Sequence, residues 1–409
     1  MRKIIILCTA AVMALTGCNA SNIDTGSDTR KDLELSTRGS EFIQKGNDFA
    51  LDFLEKIDAV SEDSYVISPL SLQFLLGMIL DGAQGRTADE ICDVLGFGAG
   101  EKEQVNEYCL SLLKQLPKLD SSTTLKIANA ILVDKSGQLL DSYKKSVANY
   151  YQAYVESIDF SNGDAAVKKI NNWCRQNTNG MIDKIIDRIP PSTFACLMNA
   201  LYFKGKWAST FDKAMTSDEA FVTKSGKKLR VPMMKQEEEF AYADNGVCQI
   251  VRLPYGNGAF SMVVALPTGE NTVKDVIAAI KKNGWKQFAA TDSYPSVDLW
   301  LPRFEAKFEG ELNEMLKQLG MPTAFEGSAD FGAMTEHPVC ISLIKQKAVI
   351  KVNEEGSEAA AVSIGFMKET ACMPESRVMF HADHPFLYFI VENSSGAILF
   401  SGRYSGAAQ

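Results

Sequence analysis

Apolar residues recur at helical spacing from residue 42 onward. Phe42, Ile43, Phe49, Ala50, Phe53, Leu54 and Ile57 share one face and predict an amphipathic first helix. Ser68-Pro69 is a helix start, and the run 72–80 after it is apolar nearly throughout, so that helix is expected to be buried. Further helices are predicted at 88–95, 104–116, 142–151 and 165–177. The later chain changes period. Strand-like runs fall at 201–203, 249–253, 260–266, 297–301, 341–352, 386–391 and 398–401, separated by turn signals such as Tyr255-Gly256-Asn257-Gly258. Helices dominate the first half and strands the second, an α+β pattern without the regular alternation of a parallel α/β fold.

One strand carries more information than the rest. Ile344, Gln346, Ala348, Ile350 and Val352 alternate with Lys345, Lys347, Val349, Lys351 and Asn353, so one face is buried and Gln346 is its polar member. Directly after it come Glu354, Glu355, Gly356, Ser357, Glu358, Ala359, Ala360, Ala361 and Val362. Gly356 can take backbone angles closed to other residues, and the alanines are small enough to pack later in a sheet. From Ser357, alternate positions (Ser357, Ala359, Ala361, Ser363, Gly365, Met367) are uncharged and mostly small. The opposite set, Glu358, Ala360, Val362, Ile364, Phe366 and Lys368, holds the charge and the bulk, which suits an outer face. The segment reads as a loop able to become a buried strand.

Composition narrows the class. With 409 residues, 46% hydrophobic, the chain can bury a large core as one big domain or two ordinary ones, and neither a repeat nor an internal linker divides it. A formal charge of −9 without a long Lys/Arg run argues against a nucleic-acid partner. At the N-terminus, Arg2-Lys3 precedes an apolar stretch over 4–15, too short to span a bilayer and of the kind found in signal peptides. Leu15-Thr16-Gly17-Cys18 resembles a bacterial lipobox, so residues 1–17 are expected to be removed and Cys18 acylated. Residues 18–40 are polar and read as a disordered tether, with one folded body over 41–409. Beyond Cys8 and Cys18, seven cysteines remain (92, 109, 174, 196, 248, 340 and 372); an odd count without a CxxC pair is no disulfide framework, so buried free thiols are expected, Cys372 excepted.

A set of motifs along the body resembles one family, the serpins. Asn199-Ala200-Leu201-Tyr202-Phe203-Lys204-Gly205-Lys206-Trp207 is similar to the third strand of the serpin main sheet. Leu253-Pro254-Tyr255, Leu301-Pro302-Arg303-Phe304, Leu319-Gly320-Met321, Ala329-Asp330-Phe331, Asp383-His384-Pro385-Phe386 and the run 396–403 follow in the family's order, so that the likeness spans about 42–404. It implies about nine helices packed on three β-sheets, with a reactive-centre loop exposed at about 354–378 and Glu354 to Val362 as its hinge. It also implies suicide inhibition of serine proteases: the target cuts the loop, and the hinge enters the main sheet, carrying the acyl-linked protease with it. Partial suppression of cysteine proteases stays open.

The same resemblance places a shutter at Ser68, Ser71, Asn199 and Gln346, where many serpins have histidine in place of Gln346, and a breach at Trp207. Counting from Glu354 puts the cut bond at Thr370–Ala371, which favours proteases with small S1 pockets, elastase- or subtilisin-like. Phe366, Met367 and Lys368 are the alternatives, suiting chymotrypsin-like or trypsin-like enzymes. A monomer is expected, touching a membrane only through its lipid and exposed to the periplasm or the cell surface. No cofactor or metal is implied, since no His/Cys/carboxylate spacing suggests one.

Two other readings compete. Ser-x-x-Lys occurs at 111–114, 142–145, 225–228 and 342–345, an abundance that signals chance, and the companion hydrolase motifs are absent. His337, His381 and His384 come without a nucleophile elbow, so an enzyme is disfavoured. A non-inhibitory serpin acting as a binding or chaperone module is the nearer rival. It is disfavoured because Ser357, Ala359 and Ala361 are neither bulky nor charged, and a charge there would cost several kcal/mol on burial. The leader has its own test: mass spectrometry of the membrane fraction is expected to find a lipid adduct on Cys18 at the mature N-terminus. Recovery of unmodified protein only in the soluble fraction would mean simple secretion.

Overall fold

A computed structural model describes residues 29–357 and 377–406, apart from 191 and 292. The leader with Cys18, the hinge residues Glu358, Ala359, Ala360, Ala361 and Val362, and the cut-bond candidates Phe366, Met367, Lys368, Thr370 and Ala371 lie outside the described residues, as does Cys372. The first half holds α1 (Thr37–Val60), β1 (Tyr65–Ile67), α2 (Pro69–Gly82), α3 (Gly85–Val94), α4 (Lys102–Gln115), β2 (Thr124–Asp134), α5 (Asp141–Tyr151), β3 (Tyr154–Ile158) and α6 (Gly163–Asn177). Strands then take over with β4 (Ala195–Lys206), β5 (Ser217–Val222), β6 (Lys228–Glu239), β7 (Ala241–Asp244), β8 (Cys248–Tyr255) and β9 (Phe260–Pro267). Helices α7 (Val273–Asn283) and α8 (Trp285–Phe288), strands β10 (Ser296–Pro302) and β11 (Phe304–Glu311), and α9 (Asn313–Leu319) follow. The chain closes with β12 (Lys345–Asn353), β13 (Gly356–Ser357), β14 (Val378–His381), β15 (Phe386–Glu392) and β16 (Ile398–Tyr404).

Among the described residues these make nine α-helices and three sheets. The main sheet runs β11-β12-β13-β4-β2-β3, a second six-stranded sheet β1-β16-β15-β9-β8-β7, and a third, of four strands, β14-β10-β6-β5. The apolar stripe of α1 is buried as its spacing requires. The chain enters the body earlier than its polar composition over 18–40 suggests: Leu33 and Leu35 pack on the core, and α1 begins at Thr37, with the Ser36 hydroxyl accepting from the Gly39 amide at 3.0 Å. Helix α2 is buried on nearly every side because it lies between the main sheet and the second sheet, touching both β4 and β16. Helix α6 covers the other side of β4 and β2, through a smaller apolar cluster of Ala130, Leu132, Ala166, Ile170 and Met198.

Strands β15 and β16 are buried throughout. On β16 the core nevertheless holds a charge, Arg403, which pairs with the equally buried Asp58 of α1. Its remaining N–H groups donate to Ser405 Oγ at 2.8 Å and to the carbonyls of Ser61 (2.8 Å) and Asp63 (3.1 Å), while the Tyr65 hydroxyl donates to Asp58 at 3.0 Å. Each guanidinium nitrogen has a partner, which helps the fold tolerate such a pair inside. The thiols of Cys92, Cys109, Cys174 and Cys248 are buried and unpaired as the sequence suggests; Cys196 is half-buried and Cys340 exposed. No described helix is long and apolar enough to cross a membrane.

Removing one partner of the buried pair strands the other charge. Asp58→Ala is expected to destabilise the fold by about 3 kcal/mol or more, read as a lowered melting temperature. An unchanged melting temperature would show that the Arg403 hydrogen bonds to carbonyls suffice alone.

Candidate functional site

The main sheet is parted in its middle. Strands β12 and β4 are neighbours with no pairing to each other among the described residues; only the two-residue β13 joins them, at one end. There Gly356 and Ser357 pair with Asn353 and Val352 on one side and with Lys206 and Gly205 on the other. Below that point β4 pairs with β2 from Lys204 to Ala195, and its opposite edge faces a cavity of about 480 Å³. Ser68 and Ser71 of α2, Met198 and Asn199 of β4, and Gln346 and Ala348 of β12 are among its walls.

The hinge therefore departs from the expected picture of a wholly exposed loop. Its first residues already lie in the sheet, and Ser357 is 1% exposed. Gly356 sits at φ +149°, and a Cβ built there would stand 2.0 Å from the Gly205 carbonyl oxygen, so no side chain fits. Gly205 is tight for a related reason: its Cβ would meet the Tyr255 ring at 2.8 Å. That ring stacks on Trp207 with centroids 4.5 Å apart, and its hydroxyl hydrogen-bonds Ser357 Oγ at 2.6 Å.

Trp207 is bound to the hinge as well as buried. Its Nε1 donates to the Asn353 carbonyl at 2.8 Å and its backbone N–H to the Glu355 carbonyl at 2.9 Å, while the Phe211 N–H donates to the Glu354 carbonyl at 2.9 Å. Glu354 is buried. The Arg303 guanidinium and the Thr216 hydroxyl (2.7 Å) both donate to its carboxylate. Burial works against the ionised carboxylate, but the Arg303 and Thr216 hydrogen bonds outweigh it and hold Glu354 below the usual carboxylate range. Glu355 pairs with Lys213 at 2.5 Å. Trp207, Tyr255, Arg303, Thr216 and Lys213 together fix where the hinge leaves β12.

Lower in the gap, helix α2 satisfies both lips. Gln346 bonds the backbone of Ser68 twice: its Oε1 accepts from the Ser68 N–H at 3.2 Å, and its Nε2 donates to the Ser68 carbonyl at 2.9 Å. The Ser68 hydroxyl donates to the Leu399 carbonyl at 3.1 Å and accepts from the Ser71 N–H at 3.3 Å, capping α2. The Ser71 hydroxyl donates to Asn199 Oδ1, and Asn199 Nδ2 donates to Asn129 Oδ1 at 2.7 Å. Asn129 in turn donates to the Tyr151 carbonyl at 2.7 Å. The four residues expected to cluster, Ser68, Ser71, Asn199 and Gln346, do so, but no hydrogen bond joins Gln346 to Asn199 across the gap.

Asn129 has no place among the residues expected from sequence, although an amide inside the apolar run 127–133 is a signal for a buried polar contact. Tyr255 and Arg303 fall within family-like motifs that give neither of them a role. Among the described residues no group of three or more His, Cys, Asp or Glu side chains is placed to hold a metal ion.

The main sheet of this large α+β body is thus parted, among the described residues, between two central strands, with the start of the hinge lodged in the mouth of the parting. The chain belongs to the serpin family, the serine protease inhibitors, whose family model matches residues 44–406. It is 33% identical over 367 residues to Serpin B6 of Macaca fascicularis, across 87% of this chain and 97% of that protein. It is 34% identical over 372 residues to the human leukocyte elastase inhibitor, again across 87% and 97%. Among solved structures it is similar to the thermophilic serpin Tengpin in the native state (TM-score 0.81, 27% identity, 92% of this chain and 96% of that one). The cleaved Serpin 42Da is as similar (TM-score 0.81, 28% identity, 90% and 99%). Equal likeness to a native and a cleaved serpin leaves the local geometry of the gap as the informative feature.

Glu354→Gln keeps the shape of the hinge seat and removes its charge, and is expected to lower stability by about 1–2 kcal/mol at neutral pH. Because the folded carboxyl is held low, its contribution is present above the ordinary carboxylate range and lost as pH falls through the depressed folded value. The difference in melting temperature between the two proteins should accordingly shrink on acidification. A difference constant with pH would contradict the assignment.

Proposed function

We propose that this chain is a suicide-substrate inhibitor of serine proteases, which traps the acyl-enzyme by drawing its cut loop into the gap between β4 and β12. One observation carries the reading: the register in which the hinge has already entered. Each further residue along the hinge moves one step back along both neighbours. Continued in that register, residue 359 would lie between Ile350 and Phe203, residue 361 between Ala348 and Leu201, and residue 363 between Gln346 and Asn199. In that register Ala359 and Ala361 would meet large core side chains, where small residues suit, and Ser363 would meet the polar lips. Glu358 would fall on the other face, between Lys204 and Lys351. The small, uncharged face of the hinge suits the positions that this extended register would give it.

Energy and length also support it. The facing edges of β4 and β12 can give a new strand about a dozen hydrogen bonds at about 1 kcal/mol net each, on the order of 10 kcal/mol in all. Met367 would fall opposite Ala195, the last residue of β4 reached in this direction, so a cut at Thr370–Ala371 lies just past the end of the inserted strand. A protease joined to that carbonyl would travel about 40 Å along the sheet, the rise of twelve strand residues. Thr370 as the recognised residue favours elastase- or subtilisin-like targets, with Phe366, Met367 and Lys368 as further bonds for other specificities. The leader and Cys18 support export and a membrane tether.

Incubation with elastase-, subtilisin-, trypsin- and chymotrypsin-like enzymes is expected to give an adduct stable to denaturing electrophoresis, with mass spectrometry placing the new C-terminus at Thr370. Cleavage without an adduct for every enzyme would overturn the inhibitory reading in favour of a non-inhibitory binding role. Ser357→Arg, which puts a charge where the Tyr255 hydroxyl now sits, should convert inhibitor to substrate. Full inhibition by that variant would refute the claim that this face must enter the sheet.

A further inference from the structure

The first described residues are fixed to the body beside an arginine that has no anionic partner. The Leu33 N–H donates to Ser394 Oγ at 2.9 Å and the Glu34 N–H to Gln115 Oε1 at 2.8 Å. Ser394 lies in the turn between β15 and β16, where its neighbour Asn393 accepts through Oδ1 from the Arg252 guanidinium of β8 at 2.6 Å. A second Arg252 nitrogen donates to the carbonyl of Ala289, directly after α8, at 3.0 Å. Asn393 Nδ2 is itself held by the Gly258 carbonyl (2.8 Å) and Ser261 Oγ (2.7 Å), so a fixed side chain orients the guanidinium. Both partners of Arg252 are neutral, and no ion pair engages it among the described residues.

A half-buried guanidinium is ordinarily matched by a carboxylate, because an unpaired charge loses hydration without return. Here burial above all, and then the Arg30 charge, lower Arg252 from the usual arginine value, and the opposing influence is the Tyr294 hydroxyl rather than a carboxylate. Two of the five guanidinium N–H groups are used, so three are left to donate. Arg30, whose charge Arg252 feels, is half-exposed and takes Asp32 on one nitrogen at 2.9 Å. Lys31 and Lys286, the latter on α8, are exposed. On α1, which packs against α8, Asp52 and Glu55 are engaged by Lys281 at 2.8 and 2.5 Å. Arg30, Lys31, Arg252 and Lys286 therefore outnumber Asp32 and Glu34 on this flank.

The geometry points to Arg252 and Arg30 as a site for the phosphate of an anionic phospholipid headgroup, which sets the flank of α8 and the β15–β16 turn against the bilayer. This rests on the membrane-tethered reading above. From Cys18 to Thr29 a chain spans about 40 Å at most, so an acylated Cys18 keeps this flank within reach of headgroups. A tether that short raises the effective headgroup concentration to about the mM range, where a weak contact is enough. Charge decides the occupant. The chain as a whole, at −9, is repelled by an anionic surface, and a local excess of cations at the point of attachment offsets that repulsion where the bilayer is met. Free phosphate would find the same donors without the benefit of the tether.

The test uses the chain from residue 18 onward carrying Cys18→Ser, so that no acyl group contributes, and measures co-sedimentation with vesicles at low salt. Binding to vesicles containing phosphatidylglycerol is expected to exceed binding to pure phosphatidylcholine, and to weaken at about 150 mM salt. Arg252→Gln and the exposed Arg30→Gln should each lower it about fivefold. Lys227→Gln, in the exposed turn between β5 and β6, should leave it unchanged. Equal binding to the two kinds of vesicle, or full binding by Arg30→Gln and by a folded Arg252→Gln, would overturn the proposal. So would an equal loss in Lys227→Gln, which would mean unspecific charge attraction. A melting temperature raised by inorganic phosphate through Arg252, without vesicle binding, would mark a free-anion site and likewise overturn the docking. Acylation of Cys18 is judged separately by mass spectrometry, so the tether and the headgroup site stand or fall apart.

Discussion

Among the described residues, two central strands of the main sheet, β4 and β12, face each other with their hydrogen-bonding edges unjoined except at the two residues of β13. A strand edge facing a cavity is an unusual thing to keep, since each backbone group left unpaired forgoes about 1 kcal/mol. The surrounding structure maintains it. β4 is held from the other side by β2 along its length, β12 likewise by β11, and α2 lies beneath both lips. The fold thus keeps the two edges apart along most of their described length.

The polar groups along the gap are arranged so that the parting costs little. Gln346 is satisfied by the Ser68 backbone, and Asn199 by Ser71 and Asn129. Had the two amides bonded each other, opening the sheet would have left both unpaired. At the mouth the hinge is seated rather than free: Glu354 is locked by Arg303 and Thr216, Glu355 by Lys213, and Ser357 by Tyr255. Those contacts are local and few.

Much of this is legible in the amino-acid sequence. The stripe of α1, the buried run of α2, the alternation of β12 and the small uncharged face after Ser357 are periodic, and periodicity survives in a sequence. So do the motifs that place the chain among the serpins. What is not legible depends on contacts between distant segments. The partner of Gln346 is a backbone from helix α2, which no pattern in 344–353 could name. That Gly356 and Ser357 pair into the sheet reflects strand pairing together with contacts from distant segments, which have no period. Strand β12 begins at Lys345 rather than at 341, because the Ile341 amide is drawn to the Ala324 carbonyl and the Ile344 carbonyl to the Leu312 amide. Trp300 and His381, 81 positions apart, meet only because β10 and β14 pair in parallel.

The central claim is that the sheet is more stable with the loop inside it than with the gap open. The most direct measurement is the melting temperature of the chain before and after a single cut within 358–376. A nick in an ordinary surface loop leaves stability unchanged or lowers it. Completion of the sheet, at on the order of 10 kcal/mol, should instead raise the melting temperature by on the order of 10 °C for a body of this size. A cut chain that melts at or below the temperature of the intact one would contradict it.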